Sequence, residues 1–381
     1  MTAAAGGAVA GVAGGAFIWL VNSLIRLLWR DLPEQFGLEP YGSWWLFAVP
    51  IAGGLLVGLG QRLLGVFPEP LDEVIAKWRN GEQLRIGTAP ATAVNSLSAL
   101  ATGGPIGFEA ALVGLLGAVA GWIGDRIGAA RGLVRQAWGA ERVDSLPPAV
   151  AGLPYWLAAI AGLVAYKSLP FGGIDLGFRF GDIADGVGGI DLLAMAALSA
   201  ALVVPLAWAS KVVAWSETRS LPRVPPMVAT VAGGVVFATM ALGSEYVLFS
   251  GQEVYQHLPD LDASTLAYLA VAKWVALVVA LLAGWRGGPV FPMITAASAV
   301  AVLVSRVVDV PVELLMVAAV ASVAMVFVKG RVAIGFTLSL YVVPLSNAGL
   351  ILVGCVGAAV ALVLAGPFGL LPGEPEEATD P

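Results

Sequence analysis

The stretch Gly103-Gly104-Pro105-Ile106-Gly107-Phe108-Glu109 decides how the chain is read. It closes a charge-free apolar run from Thr88 to Phe108, and after Glu109 the residues Ala110-Ala111-Leu112-Val113-Gly114 resume a helix-like apolar pattern. Glycines and a proline break the incoming helix, so a new helix is expected to begin near Phe108 or Glu109. A helix start presents N–H groups without intrahelical partners and a positive dipole end, which suits an anion. A carboxylate in such a run costs about 3 kcal/mol at a bilayer centre, so Glu109 is read as functional.

A second break lies at Gly287-Gly288-Pro289-Val290-Phe291-Pro292, closing the apolar run Ser264–Trp285 and opening Val290–Ser305. Both breaks read Gly-Gly-Pro-aliphatic, and Gly104 and Gly288 are 184 positions apart in a chain of 381. Gly/Pro-interrupted apolar segments at matching places in two halves point to a binding site between repeats.

Composition sets the frame. With 59% hydrophobic and 12% charged residues, the chain reads as an all-α, polytopic membrane protein. The net charge of −6 says little about nucleic acid, but no basic cluster is large enough to imply such a partner, and none is expected. The N-terminus has no basic residue before its apolar run, a poor match to a cleavable signal, so the first span is expected to stay. A lone Cys355 and a lone His257 exclude a disulfide and cysteine- or histidine-pair metal sites, and no cofactor is implied.

Spans are expected at Val9–Leu28, Leu46–Gly60, Leu146–Tyr166, Leu192–Ser210, Val224–Gly243 and Ser264–Trp285. Ala91–Thr102 and Glu109–Gly124, the latter stopped by Asp125-Arg126, are too short to cross alone. Leu314–Val328 is also short, and Pro344-Leu345-Ser346-Asn347 is expected to divide Val332–Leu364. The predicted organisation is a tail at 1–8, a first half at 9–166, a second half at 167–366 and a disordered acidic tail at 367–381.

On the two glycine-proline motifs and the order of the broken helices, the chain resembles the CLC family of chloride channels and proton-coupled chloride transporters. Gly104-Pro105-Ile106-Gly107-Phe108-Glu109-Ala110-Ala111 and Gly287-Gly288-Pro289-Val290-Phe291-Pro292 carry the likeness, which runs from about Val9 to Leu364. The resemblance implies an inverted repeat of broken and tilted helices, a multi-pass location in the cell membrane and a homodimer with one pathway per subunit. It implies a pathway for chloride or another small inorganic anion, gated by Glu109. Gly104, Ile106, Gly107, Phe108, Val290 and Phe291 are the anion-binding candidates, with Gly103, Gly288, Lys273 and Tyr341 behind them.

The chain also departs from the family. Phe108 stands where the family has an arginine and Ala111 where it has a proline. The nearest match to the loop that carries an anion-binding serine is Gly65-Val66-Phe67-Pro68-Glu69, which puts Gly65 at that place. No tyrosine follows Tyr341, and the inner proton-relay glutamate has no counterpart that the sequence locates. Ser96 and Ser98 are read as bonding back to their own helix. Lys273 is either a long-range cation for the pore or a snorkelling or paired lysine, and Glu109 either a gate or a glutamate satisfied by its helix start. The rival functions are a proton-coupled exchanger, a transporter of another small anion and a non-conducting remnant. An intramembrane enzyme would need a nucleophile–base pair, for which Glu109 and a loop His257 are poor material.

Overall fold

The structure is a computed structural model that describes residues 2–70, 85–138, 187–217, 224–340 and 342–372, with 73, 74, 77, 157, 161, 162, 164, 165, 183 and 219 between them. The expected span Leu146–Tyr166 and the candidate Tyr341 lie largely or wholly outside the described residues. The described chain is helical, and five of its helices are long and apolar enough to cross a membrane. It divides into two compact units, each treated by itself below.

The first unit holds Met1–Gly103, Phe108–Asp175 and Arg286–Gly288. Its helices are α1 (Thr2–Arg26), continued by a π-helical turn into α2 (Leu32–Gln35), then α3 (Trp45–Leu64), α4 (Ala89–Ala101) and α5 (Glu109–Trp138). Helix α1 begins at Thr2, inside the stretch read as a tail, because Ala-rich sequence carries the helix outward. Helix α1 packs on α4 and α5, and α3 packs on α4. Trp29 Nε1 donates to the Ala101 carbonyl at 3.0 Å, satisfying an acceptor that the short helix α4 leaves open at its end. The expected stop at Asp125-Arg126 does not occur: α5 runs on to Trp138, 30 residues in all. Neither residue breaks a helix as Gly or Pro would, and Arg126 lies over the Trp122 ring at 5.2 Å, as an interfacial pair does.

The second unit holds Gly104–Gly107, Leu176–Trp285 and Pro289–Pro381. Its helices are α6 (Gly189–Glu217), α7 (Pro226–Ala241), α8 (Ala263–Leu282), α9 (Val290–Ser305), α10 (Val312–Phe327), α11 (Val332–Ser339) and α12 (Ala348–Ala365). Helix α10 is the centre of this unit. Every residue from Leu314 to Val326 is buried, and α6, α9, α11 and α12 pack around it. A helix apolar on all sides and too short to span is held by protein rather than lipid. On α12, Gly357 packs so closely on α6 that a Cβ there would stand 2.7 Å from the Ala196 carbonyl oxygen. Small residues at such crossings let backbones approach where no hydrophobic force drives association.

Helix α8 is bounded by two sequence signals. Asp262 caps its start, accepting from the Ser264 and Thr265 N–H groups at 2.9 and 3.0 Å. The Ser264 and Thr265 hydroxyls, followed by these backbone bonds, hold the Asp262 carboxyl below the usual carboxylate range. At the other end Gly284 adopts φ +88, with Gly284 N–H on Leu281 O at 3.0 Å and Trp285 N–H on Ala280 O at 2.9 Å. This is a Schellman cap, and it stops α8 just before the second break.

Candidate functional site

The first break is a tight local structure. Helix α4 ends at Ala101, and Gly103 takes φ +94, a left-handed conformation that glycine enters without strain. Pro105 then centres a three-residue turn in which Ile106 N–H bonds Gly104 O at 2.8 Å. Ile106 is fully buried and Gly104, Gly107 and Phe108 are buried beside it. The backbone N–H of Ile106, expected to face an anion, therefore points into its own turn. Phe108 caps α5, its carbonyl accepting Leu112 N–H at 2.9 Å, which makes Glu109 the first helical residue. Its N–H and those of Ala110 and Ala111 have no acceptor within the helix.

Glu109 is half-buried, with Oε2 withdrawn from solvent. Its side chain lies against Gly288: a Cβ built at Gly288 would stand 2.7 Å from Glu109 Cδ and 3.0 Å from Glu109 Cβ, and closer still to Oε2. Only a glycine at 288 leaves room for the carboxylate. Two residues of the chain 179 positions apart thus meet within the first unit.

At the second break, Trp285 fixes the approach. It is fully buried, donates from Nε1 to Thr230 O at 2.8 Å and meets the Phe237 ring edge-on at 4.9 Å. Helix α9 then starts at Val290, with Pro289 as cap and its carbonyl on Met293 N–H at 3.1 Å. Because Pro289 and Pro292 have no N–H, Val290 and Phe291 are the backbone donors of that first turn. Thr295 Oγ1 donates back to Phe291 O at 3.1 Å.

Lys273 does not snorkel. It is fully buried, and Nζ donates to the carbonyls of Tyr246, Val247, Leu248 and Phe249 at 2.9, 3.1, 2.7 and 2.8 Å. Phe249 holds φ +58 in this loop, so one lysine ties a strained turn to α8. Asn347, at the break before α12, is buried and accepts Ile183 N–H at 3.2 Å, while Ser346 is exposed. His257 sits exposed in a 3-10 turn. No group of three or more His, Cys, Asp or Glu is placed to hold a metal among the described residues.

Arg286 precedes Gly287-Gly288 directly and belongs to the same compact unit as Glu109.

Residues 176–366 match the family described as voltage gated chloride channel, half of the chain. The chain belongs to the CLC family. Its members are channels or transporters, and the protein is a multi-pass membrane protein and not an enzyme. Relatives include the YfeO proteins of Escherichia coli, whose name assigns them to ion transport. One, from strain E24377A, is 27% identical over 308 residues, 72% of this chain and 71% of the relative. Another, from strain SE11, is 28% identical over 309 residues with the same coverage. Two crystal structures share the fold: a slow cyanobacterial chloride/proton antiporter and a CLC-type fluoride/proton antiporter. The first has a TM-score of 0.74 at 17% identity, covering 96% of this chain and 94% of that one. The second has a TM-score of 0.67 at 15% identity, covering 94% of each chain.

Proposed function

We propose that this CLC protein carries chloride or a similar small inorganic anion across the cell membrane, along a pathway gated by Glu109. The observation that carries this reading is the Glu109 side chain at the start of α5, lying against Gly288 one residue before the cap of α9. A carboxylate and a halide compete for the same field of helix-start N–H groups, and protonation removes the carboxylate from that competition. Gly107, Phe108, Val290 and Phe291 are the backbone positions the reading assigns to the anion. The protein is expected to work as a homodimer with one pathway in each subunit.

Purified protein in liposomes loaded with potassium chloride or potassium fluoride tests this. Efflux on adding valinomycin is the expected result for chloride, fluoride or both. Absence of efflux for either anion at any pH would contradict it and leave a non-conducting remnant. The same vesicles separate channel from exchanger. Proton movement driven by an anion gradient marks exchange, the activity named for both structural neighbours.

Gly288→Ala adds a methyl group where the Glu109 carboxylate lies. The side chain must leave that position, so flux at neutral pH is expected to rise and its pH response to flatten. An unchanged pH profile in liposomes would remove this contact from the gate.

A further inference from the structure

Helix α6 carries one continuous exposed stripe. Leu193, Ala197, Ala201 and Pro205 recur at every fourth position of its first part, all apolar and all exposed. The stripe then changes character. Trp208, Lys211, Trp215 and Arg219 continue it at spacings of three and four, and each is exposed. Arg219 lies just past the helix, where its N–H still bonds Ser216 O at 3.4 Å, so the turn carries on to it. The opposite face, with Leu202, Leu206 and Val213, is buried.

The change falls where the lipid core ends. Leu192–Ser210 carries no charge, and at 1.5 Å per residue it covers about 28 Å, against about 30 Å for a hydrocarbon core. Lys211 therefore stands at the phosphate level of one leaflet. Two aromatic rings organise the cations there. Lys211 Nζ lies 5.9 Å from the Trp208 ring centroid, and Arg219 Cζ lies 5.3 Å from that of Trp215. The Trp208 ring is itself fixed, because its Nε1 donates to Leu370 O at 2.9 Å. Indole rings suit the headgroup layer, where one edge meets water and the body meets acyl chain.

We propose that this ridge binds an anionic phospholipid. The Lys211 ammonium pairs with the headgroup phosphate, the Trp208 ring packs along the glycerol and upper acyl chain, and Arg219, held on Trp215, adds attraction from farther out. Charge and continuity select this occupant. Both charges on the stripe are positive, and the stripe runs unbroken into the apolar surface that acyl chains cover. A soluble acidic partner would meet only its upper part. A second copy meeting the ridge across a two-fold axis would set cation against cation. The inference is independent of the anion pathway and of Glu109.

Native mass spectrometry of the full chain in a neutral detergent tests it, with phosphatidylglycerol and phosphatidylcholine of matched acyl chains as probes. A basic side chain close to an anionic headgroup strengthens binding about fivefold, so wild type is expected to hold phosphatidylglycerol at least that much more tightly than phosphatidylcholine. Lys211→Gln is expected to lose about fivefold in affinity for phosphatidylglycerol, with phosphatidylcholine unchanged. Arg219→Gln is expected to lose less, and Lys211→Arg to bind as wild type. Equal wild-type affinity for the two lipids would overturn the proposal. So would an undiminished preference in the Lys211→Gln, Arg219→Gln double variant. Parallel loss of binding and melting temperature that Lys211→Arg does not restore would overturn it in favour of a packing role. Displacement of the lipid by sodium glycerol phosphate at equal concentration would overturn it in favour of a free-phosphate site. A preference that appears only after residues 373–381 are removed would overturn it in favour of the acidic segment Glu374–Asp380 as the occupant.

Discussion

Glu109→Gln abolishes the pH response of anion flux. The amide keeps the shape of the carboxyl group but carries no charge at any pH. It cannot compete with a halide for the helix-start N–H groups, so the variant behaves as the protonated protein does throughout. In liposomes, wild-type flux is expected to rise as pH falls, while Glu109→Gln stays high and flat from acid to neutral pH. Any proton coupling seen in wild type is expected to vanish in the variant, since Glu109 is the proton carrier in that reading. Identical pH profiles in the two proteins would return Glu109 to the role of a satisfied helix-start glutamate.

Lys273→Met is expected to damage folding rather than selectivity. The ammonium is buried with four carbonyl oxygens of one loop, and methionine fills the stem without replacing a single donor. Leaving a single buried acceptor unsatisfied costs about 1–3 kcal/mol. The carbonyls of Tyr246 to Phe249 would lose their common partner, and the strained Phe249 its support. Fluorescence-detected size-exclusion after heating should show a fall in melting temperature of more than about 5 °C, with poor yield. Lys273→Arg is expected to recover only part, because a planar fork does not converge on four oxygens as an ammonium does. A Lys273→Met protein that melts with wild type but shows altered anion preference would favour the long-range cation reading.

Helices bounded by Gly and Pro were legible in the sequence, whereas the charged pair Asp125-Arg126 is no boundary. Val290–Ser305 begins and ends where the apolar run does, since Pro289 excludes an earlier start. The division of Val332–Leu364 at Pro344 is likewise seen, with a 3-10 turn at Leu345–Asn347. Asp125-Arg126 reads as an end of helix only if charge is taken to stop one, and α5 shows that it does not.

The site was legible as motifs and not as contacts. Glycine-proline breaks, a carboxylate at a helix start and the two prolines flanking Val290-Phe291 are local facts that composition and spacing reveal. Three others depend on chain segments far apart. Lys273 reads as an isolated charge until the loop of Tyr246–Phe249 is placed around it. Gly288 reads as a breaker until Glu109 is seen to fill the space it leaves. Ser96 and Ser98 are the same residue type two positions apart, yet Ser98 Oγ bonds back to Val94 O at 2.9 Å while Ser96 Oγ makes no hydrogen bond among the described residues. The use of the Ile106 N–H is local: Pro105 closes a turn that claims it.

The most direct test is crystallographic. Crystals of wild type and of Glu109→Gln grown in sodium bromide would be compared by anomalous diffraction. The account predicts a bromide peak beside Gly288 in Glu109→Gln, at the place the wild-type carboxylate occupies, and its absence there in wild type. No bromide at that position in either protein would contradict the proposal that anion and glutamate share one site.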